Sequence, residues 1–216
     1  MSESHRVRRG AARARYDEAT LHAILDAGLV AHVGIEVDGQ PFVLPMAYAR
    51  DGDTLLLHGS RASRTMKALM AGAPACITVT LLDGLVLARS AFHHSMNYRS
   101  VVVLGAGTPV EEPPEREAAF ERLVEHVAPG RAAEVRMPNE REDRQTAIVR
   151  IPLTQASAKV RTGPPVDDEA DYAGPWWAGV LPFSHDAGPV EPDPKLTEGI
   201  EVPPSVHAWK RAAPGR

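Results

Sequence analysis

The spacing of apolar residues switches between two periods along this chain, and the switches outline its elements. Leu21, Ile24 and Leu25 lie three and four apart, which predicts a short helix. Asp17 is its N-cap, Tyr16 and Leu21 sit where a hydrophobic staple forms, and Gly28 ends it. Residues 29–37 are apolar and β-branched and run into Asp38-Gly39, a hairpin signal. Residues 41–49 return, and Asp51-Gly52-Asp53 turns into Thr54-Leu55-Leu56-Leu57-His58. Gly59-Ser60 is read as the break of that strand. Ala62, Met66, Leu69 and Met70 then fall on one helical face, which Gly72 and Pro74 terminate.

Strand spacing resumes over 75–82, with Ile77, Val79 and Leu81 on one face and Thr78 and Thr80 on the other. Asp83-Gly84 is read as a turn into a strand at 85–89, and 100–108 is a valine-rich strand. Pro113-Pro114-Glu115 opens a helix with an expected buried stripe of Phe120, Leu123, Val124 and Val127, closed by Pro129-Gly130. The mixed-charge stretch 134–144 is a solvated loop or short helix, and 146–153 and 156–161 are the last strands. Six or seven strands, mostly joined as a meander with helices inserted, predict a mainly β barrel with covering helices. The strand–helix alternation of a doubly wound sheet is absent.

Composition adjusts this picture at the two ends. Arg6, Arg8, Arg9, Arg13 and Arg15 lack a following apolar run, so residues 1–15 read as a flexible basic arm, not a secretory signal. The ordered domain spans 16–161. The segment 162–216 holds more than half of the 19 prolines and all three tryptophans. Proline excludes it from a sheet interior, and tryptophan is rare in disordered tails, so it reads as an arm packing on the barrel or on a partner.

The 216 residues carry 24 Lys+Arg and 28 Asp+Glu, for a net charge of −4, with only 5% aromatics. That balance argues against binding nucleic acid through phosphate charge or base stacking. No apolar run reaches the roughly 20 residues of a membrane span, and a cytoplasmic location is expected. The lone Cys76 excludes an internal disulfide and cysteine-rich metal sites, and its strand context reads as a small buried hydrophobe.

Two polar clusters could carry chemistry. His58-Gly59-Ser60-Arg61-Ala62-Ser63-Arg64-Thr65 lies where a strand gives way to a helix. Hydroxyls, guanidinium groups and unpaired N–H groups there suit a phosphate, while the plain alternative is Ser60 capping a helix beside exposed arginines. His93-His94-Ser95-Met96-Asn97-Tyr98-Arg99-Ser100 leads into an apolar strand. Adjacent strand side chains point to opposite faces, so the two histidines do not chelate one ion. A polar wall of a ligand pocket is favoured over a metal site or an exposed loop. There is no Gly-x-Ser-x-Gly elbow, no Gly-x-Gly-x-x-Gly and no P-loop.

The order of these motifs resembles the pyridoxamine 5′-phosphate oxidase-like, FMN-binding split-barrel superfamily. It is most similar to the flavin-nucleotide-binding, nitroimidazole-resistance-like branch. The landmarks are Pro41-Phe42-Val43-Leu44-Pro45-Met46-Ala47, Leu57-His58-Gly59-Ser60 with Ser63-Arg64, Tyr98-Arg99-Ser100-Val101-Val102-Val103-Leu104-Gly105, and Trp176-Trp177-Ala178-Gly179-Val180-Leu181-Pro182. The resemblance implies a split β-barrel. It implies that the strand holding Val43, Pro45 and Met46 faces the flavin with its backbone. It further implies that His58, Gly59, Ser60, Ser63, Arg64 and Thr65 reach the phosphate. Thr65 stands where the family usually has lysine. Ser100 stands where the oxidases carry glutamine, and their substrate-clamping arginines are missing, which argues against pyridoxamine phosphate as substrate.

The family also implies a homodimer with flavin between the subunits. The expectation is then an FMN-dependent oxidoreductase that uses a nicotinamide donor to reduce a small electron-poor compound, nitro-aromatic or quinone-like. His93, His94, Asn97 and Trp176 would shape its substrate pocket, with Trp176 or Trp177 near the flavin ring. The alternatives are a flavin- or haem-binding carrier or sensor without turnover, and an enzyme of the same fold using FAD or a deazaflavin.

Overall fold

The computed structural model describes residues 4–184 and 186–209; residues 1–3, His185 and 210–216, within the two predicted arms, lie outside the described residues. In chain order the elements are β1 (Ala14–Arg15), α1 (Glu18–Ala27), β2 (Val30–Val37), β3 (Gln40–Asp51), β4 (Thr54–Ser60), α2 (Arg64–Met70) and β5 (Pro74–Leu87). There follow β6 (Ser95–Ala106), β7 (Thr108–Pro109), α3 (Pro113–Val127), α4 (Glu140–Gln145), β8 (Thr146–Pro152), β9 (Ala156–Arg161), β10 (Gly179–Pro182) and α5 (Pro204–His207). The strands form one antiparallel sheet ordered β1-β9-β6-β5-β2-β3-β4-β8-β7, with β10 on β5. Seven long strands make a split barrel with inserted helices.

Two chain features shape the barrel. Asp38 and Gly39, with φ of 53° and 76°, make the tight turn between β2 and β3. β3 then changes partner: residues 40–47 pair with β2, and 48–51 pair with β4. The core fills with Val33, Leu55, Leu57, Ile77, Val101, Val149 and Ile151, closed at one end by Leu21, Ile24 and Leu25 of α1 and by Met66 and Leu69 of α2. A smaller core joins Ala119 and Leu123 of α3 to Leu56 and Ile148.

Several sequence expectations change. Asp83-Gly84 is not a turn: β5 runs straight through it, with a register shift against β6 between Leu82 and Gly84. Gly84 is required because β10 crosses there. A Cβ on it would lie 2.7 Å from the Leu181 carbonyl oxygen. Gly59 does not break β4, which continues to Ser60. It leaves room for Met66, whose Cγ would be 3.1 Å from a Cβ at that position. The cap of α2 is Ser63, which accepts from the Met66 N–H, not Ser60.

The stripe of α3 shifts toward its start. Arg116, Ala119 and Leu123 are buried, and Val127 is exposed. Arg116 is tolerated because it donates to the carbonyls of Val110, Asp143 and Thr146 and pairs with Asp143. Order begins before Tyr16. Ala14 and Arg15 pair with Lys159 and Ala158 through the backbone, which an arginine-rich sequence does not advertise. Cys76 is exposed, because strand alternation that buries Ile77 turns it outward.

The C-terminal segment is fastened along its length, beginning with Asp167, which bonds Arg89 and Ser90. β10 lies along β5, and α5 docks near α3, where Ser205 bonds Glu134 and the Trp209 Nε1 donates to the Val127 carbonyl at 2.9 Å. Trp176 and Trp177 remain largely exposed, Trp177 lying over Gly179. No helix among the described residues is long and apolar enough to cross a membrane.

Candidate functional site

The first site forms where β3 changes partner. Because β4 pairs only from Tyr48 onward, residues 40–47 have one edge without a strand beside it. Proline fits a strand where its missing N–H faces an unpaired edge, and Pro41 and Pro45 share parity with Val43 and Ala47. The backbone groups of Val43 and Ala47 therefore face the open edge. The Val43 and Pro45 side chains point out of the barrel, Val43 at 67% exposure, while Met46 packs inward against the core.

The start of α2 approaches the same region. The Arg64 guanidinium stacks on the Phe42 ring, 4.2 Å from its centroid, and pairs with no carboxylate among the described residues. Ser60 accepts from the Ala62 N–H and Ser63 from the Met66 N–H, so both hydroxyls retain a proton to donate. Arg61 is engaged with Glu111 at 3.3 Å, and Lys67 is exposed. Thr65 is buried. His58 and Ser60 share one face of β4. The His58 Nδ1 is buried without a hydrogen-bond partner, and burial holds this histidine below its ordinary pKa. An uncommitted cation, two hydroxyl protons and an orphaned ring nitrogen fit an anionic, hydrogen-bonding ligand such as a flavin phosphate.

Residues Val43, Phe42, Gly34, Cys76 and Leu104 border a shallow cavity of about 740 Å3 on the outer face of β3, β2, β5 and β6. Val43 is the one predicted site residue in it, and Phe42 links it to Arg64. Ser100 lies on β6 between Thr80 and Lys159, and its hydroxyl reaches the Lys159 carbonyl. It does not join the Arg64 cluster.

The second cluster is not the strand expected. Ala91–His93 is a 3-10 turn capped by Ser90, and β6 begins at Ser95. His93 and His94 therefore line one cavity of about 370 Å3, together with Arg13, Phe92, Ser95, Arg161 and Val166. Asn97 is buried and tied into the frame: it accepts from Arg161 and donates to the Gly163 carbonyl at 3.1 Å. Trp176 lies against Gly174 and does not line this cavity. Asp167 holds the turn through the N–H groups of Arg89 and Ser90. Burial alone raises its pKa, yet these bonds and the Arg89 side chain hold it below the usual carboxylate value. Among the described residues no three His, Cys, Asp or Glu side chains group as a metal-ion site.

The sequence reading missed Phe42 as the seat of Arg64, and missed Arg13 and Arg161 in the histidine cavity. An isolated aromatic at the barrel rim and a basic residue ending an apolar strand were the available signals.

The pyridoxamine 5′-phosphate oxidase family model matches residues 17–160. The chain belongs to that family. Among solved structures of the same fold, the flavocytochrome Anf3 from Azotobacter vinelandii is 41% identical, with 98% of each chain covered and a TM-score of 0.92. The FAD and haem binding protein from Mycobacterium smegmatis is 34% identical over 90% of this chain and 96% of that one, with a TM-score of 0.86. A candidate 5-nitroimidazole antibiotic resistance protein from Bacteroides thetaiotaomicron is 23% identical over 68% of this chain and 86% of that one, with a TM-score of 0.57, and shares the fold. Among curated proteins none matches. The family match ends at residue 160, whereas the first two structures also follow this chain through most of its proline-rich arm.

Proposed function

We propose that this member of the pyridoxamine 5′-phosphate oxidase family binds a flavin nucleotide and a haem, and works as an electron-transfer oxidoreductase. The observation that carries the reading is the 41% identity across 98% of both chains with a flavocytochrome. The 34% identical FAD and haem binding protein supports the same pair of cofactors.

Flavin, when bound, supplies hydride and one-electron chemistry, and haem supplies one-electron chemistry. The chain's own groups supply binding and orientation. The free edge at Val43 and Ala47 presents backbone donors and acceptors. Ser60, Ser63 and Arg64 present donors to a phosphate, and His58, two residues before Ser60 on β4, holds an unpartnered ring nitrogen. In the single chain this site is a shelf open to water. The outer sheet face around it carries Val30, Val43, Cys76 and Leu104 beside the polar His32 and Glu36. A second copy of the chain laid on this face would close the shelf, which is the reason for proposing a homodimer.

The test is the visible spectrum of the purified, cofactor-reconstituted protein, with release and identification of the nucleotide as FMN or FAD. Bands of both flavin and haem are expected, and a nicotinamide donor is expected to bleach the flavin band and to shift the Soret band of the haem. Protein that takes up neither cofactor overturns the reading.

A further inference from the structure

Resting on that reading, we propose that His94 is the axial ligand of the haem, and that Arg13 and Arg161 receive its propionates. His94 directly follows the 3-10 turn, and its Nδ1 lies 2.9 Å from the Ser90 carbonyl oxygen. A carbonyl only accepts, so Nδ1 carries the proton and Nε2 keeps its lone pair. A ring fixed by a backbone carbonyl through one nitrogen is prepared to ligate iron through the other. His94 is exposed and lines the 370 Å3 cavity.

The rest of the lining matches the same group. Arg161 is nine-tenths buried, yet its partners are neutral: the Asn97 side chain and the carbonyls of Gly163 and Pro164. Arg13 lines the same cavity. No carboxylate pairs with either guanidinium among the described residues. Burial first, and the Arg13 charge second, lower the Arg161 pKa, so an incoming dianion relieves an existing strain in charge. At the mouth stand Phe92 and Val166, 88% and 70% exposed, an apolar pair of the kind that flanks a porphyrin. A lone phosphate would satisfy the arginines but would leave the histidine and this apolar pair without a role.

His93 provides an internal contrast. Its Nε2 is 3.4 Å from the Asp168 carboxylate, so its outward nitrogen is already engaged.

Haemin is titrated into the full-length, flavin-loaded protein and into its His94→Ala, His93→Ala and Arg13→Ala variants. The readouts are the Soret band, electron paramagnetic resonance of the ferric iron, and bound flavin as a check of folding. His94→Ala is expected to lose the nitrogen-ligated spectrum, which free imidazole restores, and to weaken haem binding by more than the roughly 10- to 100-fold that loss of a mere outer-shell partner costs a metal site. His93→Ala is expected to keep both spectrum and affinity. Arg13→Ala is expected to keep the spectrum and weaken binding by up to about fivefold, as loss of one partly exposed charge pair does. Inorganic phosphate is expected to compete only weakly. An unchanged spectrum in His94→Ala overturns the ligand assignment while the haem reading stands. No haem uptake by the unsubstituted protein, with flavin still bound, overturns the haem reading itself and the assignment with it.

Discussion

Arg64 touches the face of Phe42 and has no acidic partner, so removing it subtracts little from the fold. Arg64→Ala is expected to weaken flavin binding by about 1.5–3 kcal/mol, the scale of a hydrogen bond to a charged group. Fluorescence titration reads this, and an unchanged Kd would reject the phosphate role. Asn97 is the opposite case. It is buried, and Asn97→Ala strips a partner from both Arg161 and the Gly163 carbonyl. A loss of about 1–3 kcal/mol in urea unfolding is expected, the cost of buried polar groups left unpaired. His58 gives a pH dependence. Burial lowers its folded pKa, so below the unfolded value of about 6.5 the unfolded chain binds its proton first. Stability from this residue is therefore present above that pH and is lost as pH falls through the lower folded value. His58→Phe should flatten this limb of the stability profile, and an unaltered limb would show that other groups cause it.

At the scale of elements, β5 shows why some features were legible and others were not. The alternation of Ile77 and Val79 with Thr78 and Thr80 reports a half-buried strand, and residues 75–82 sit as that pattern requires. Asp-Gly, however, serves a turn and a bulge equally well. The true cause of Gly84 is the backbone of β10, some 95 residues further along, which no local pattern records. Asp38-Gly39 was legible because that turn demands positive φ at both positions and the residues meet the demand locally. The candidate sites divide in the same way. Ser60, Ser63 and Arg64 are neighbours in sequence and could be read together. Arg13 meets Arg161 only because β1 pairs with β9 through backbone groups, which side-chain patterns do not encode. The Gly84 contact yields a prediction for this element. Gly84→Val places a branched side chain against the Leu181 carbonyl and should loosen β10, at about 1–3 kcal/mol for overpacking. Limited proteolysis is expected to cut near residues 174–184 faster in the variant than in the parent, and equal rates would count against the close approach as the reason for glycine.

For the whole molecule, the outer face of β3, β2, β5 and β6 is the feature left without cover. Val43→Glu places a charge on the open-edge strand of this face. The dimer proposed for this face should dissociate at micromolar concentration, and flavin affinity should fall with it, both readable by light scattering and titration on the same sample. A dimer that survives the substitution would move the interface elsewhere. Cys76 lies on this face and supplies an independent probe, since its thiol should react with a maleimide more slowly in the assembled form than in the Val43→Glu variant.

The pairing of β10 with the second half of β5 also has a consequence during synthesis. Residues 84–87 end β5, and the side of them turned away from β6 stays bare until Gly179–Pro182, which follows the end of β9 at Arg161, has been made. A bare edge is a template for another chain's strand. Leu85, Val86 and Leu87 make it an apolar one. A chain halted by a premature stop before Gly179 is therefore expected to form inclusion bodies through this edge even though its β2–β9 barrel is complete in sequence.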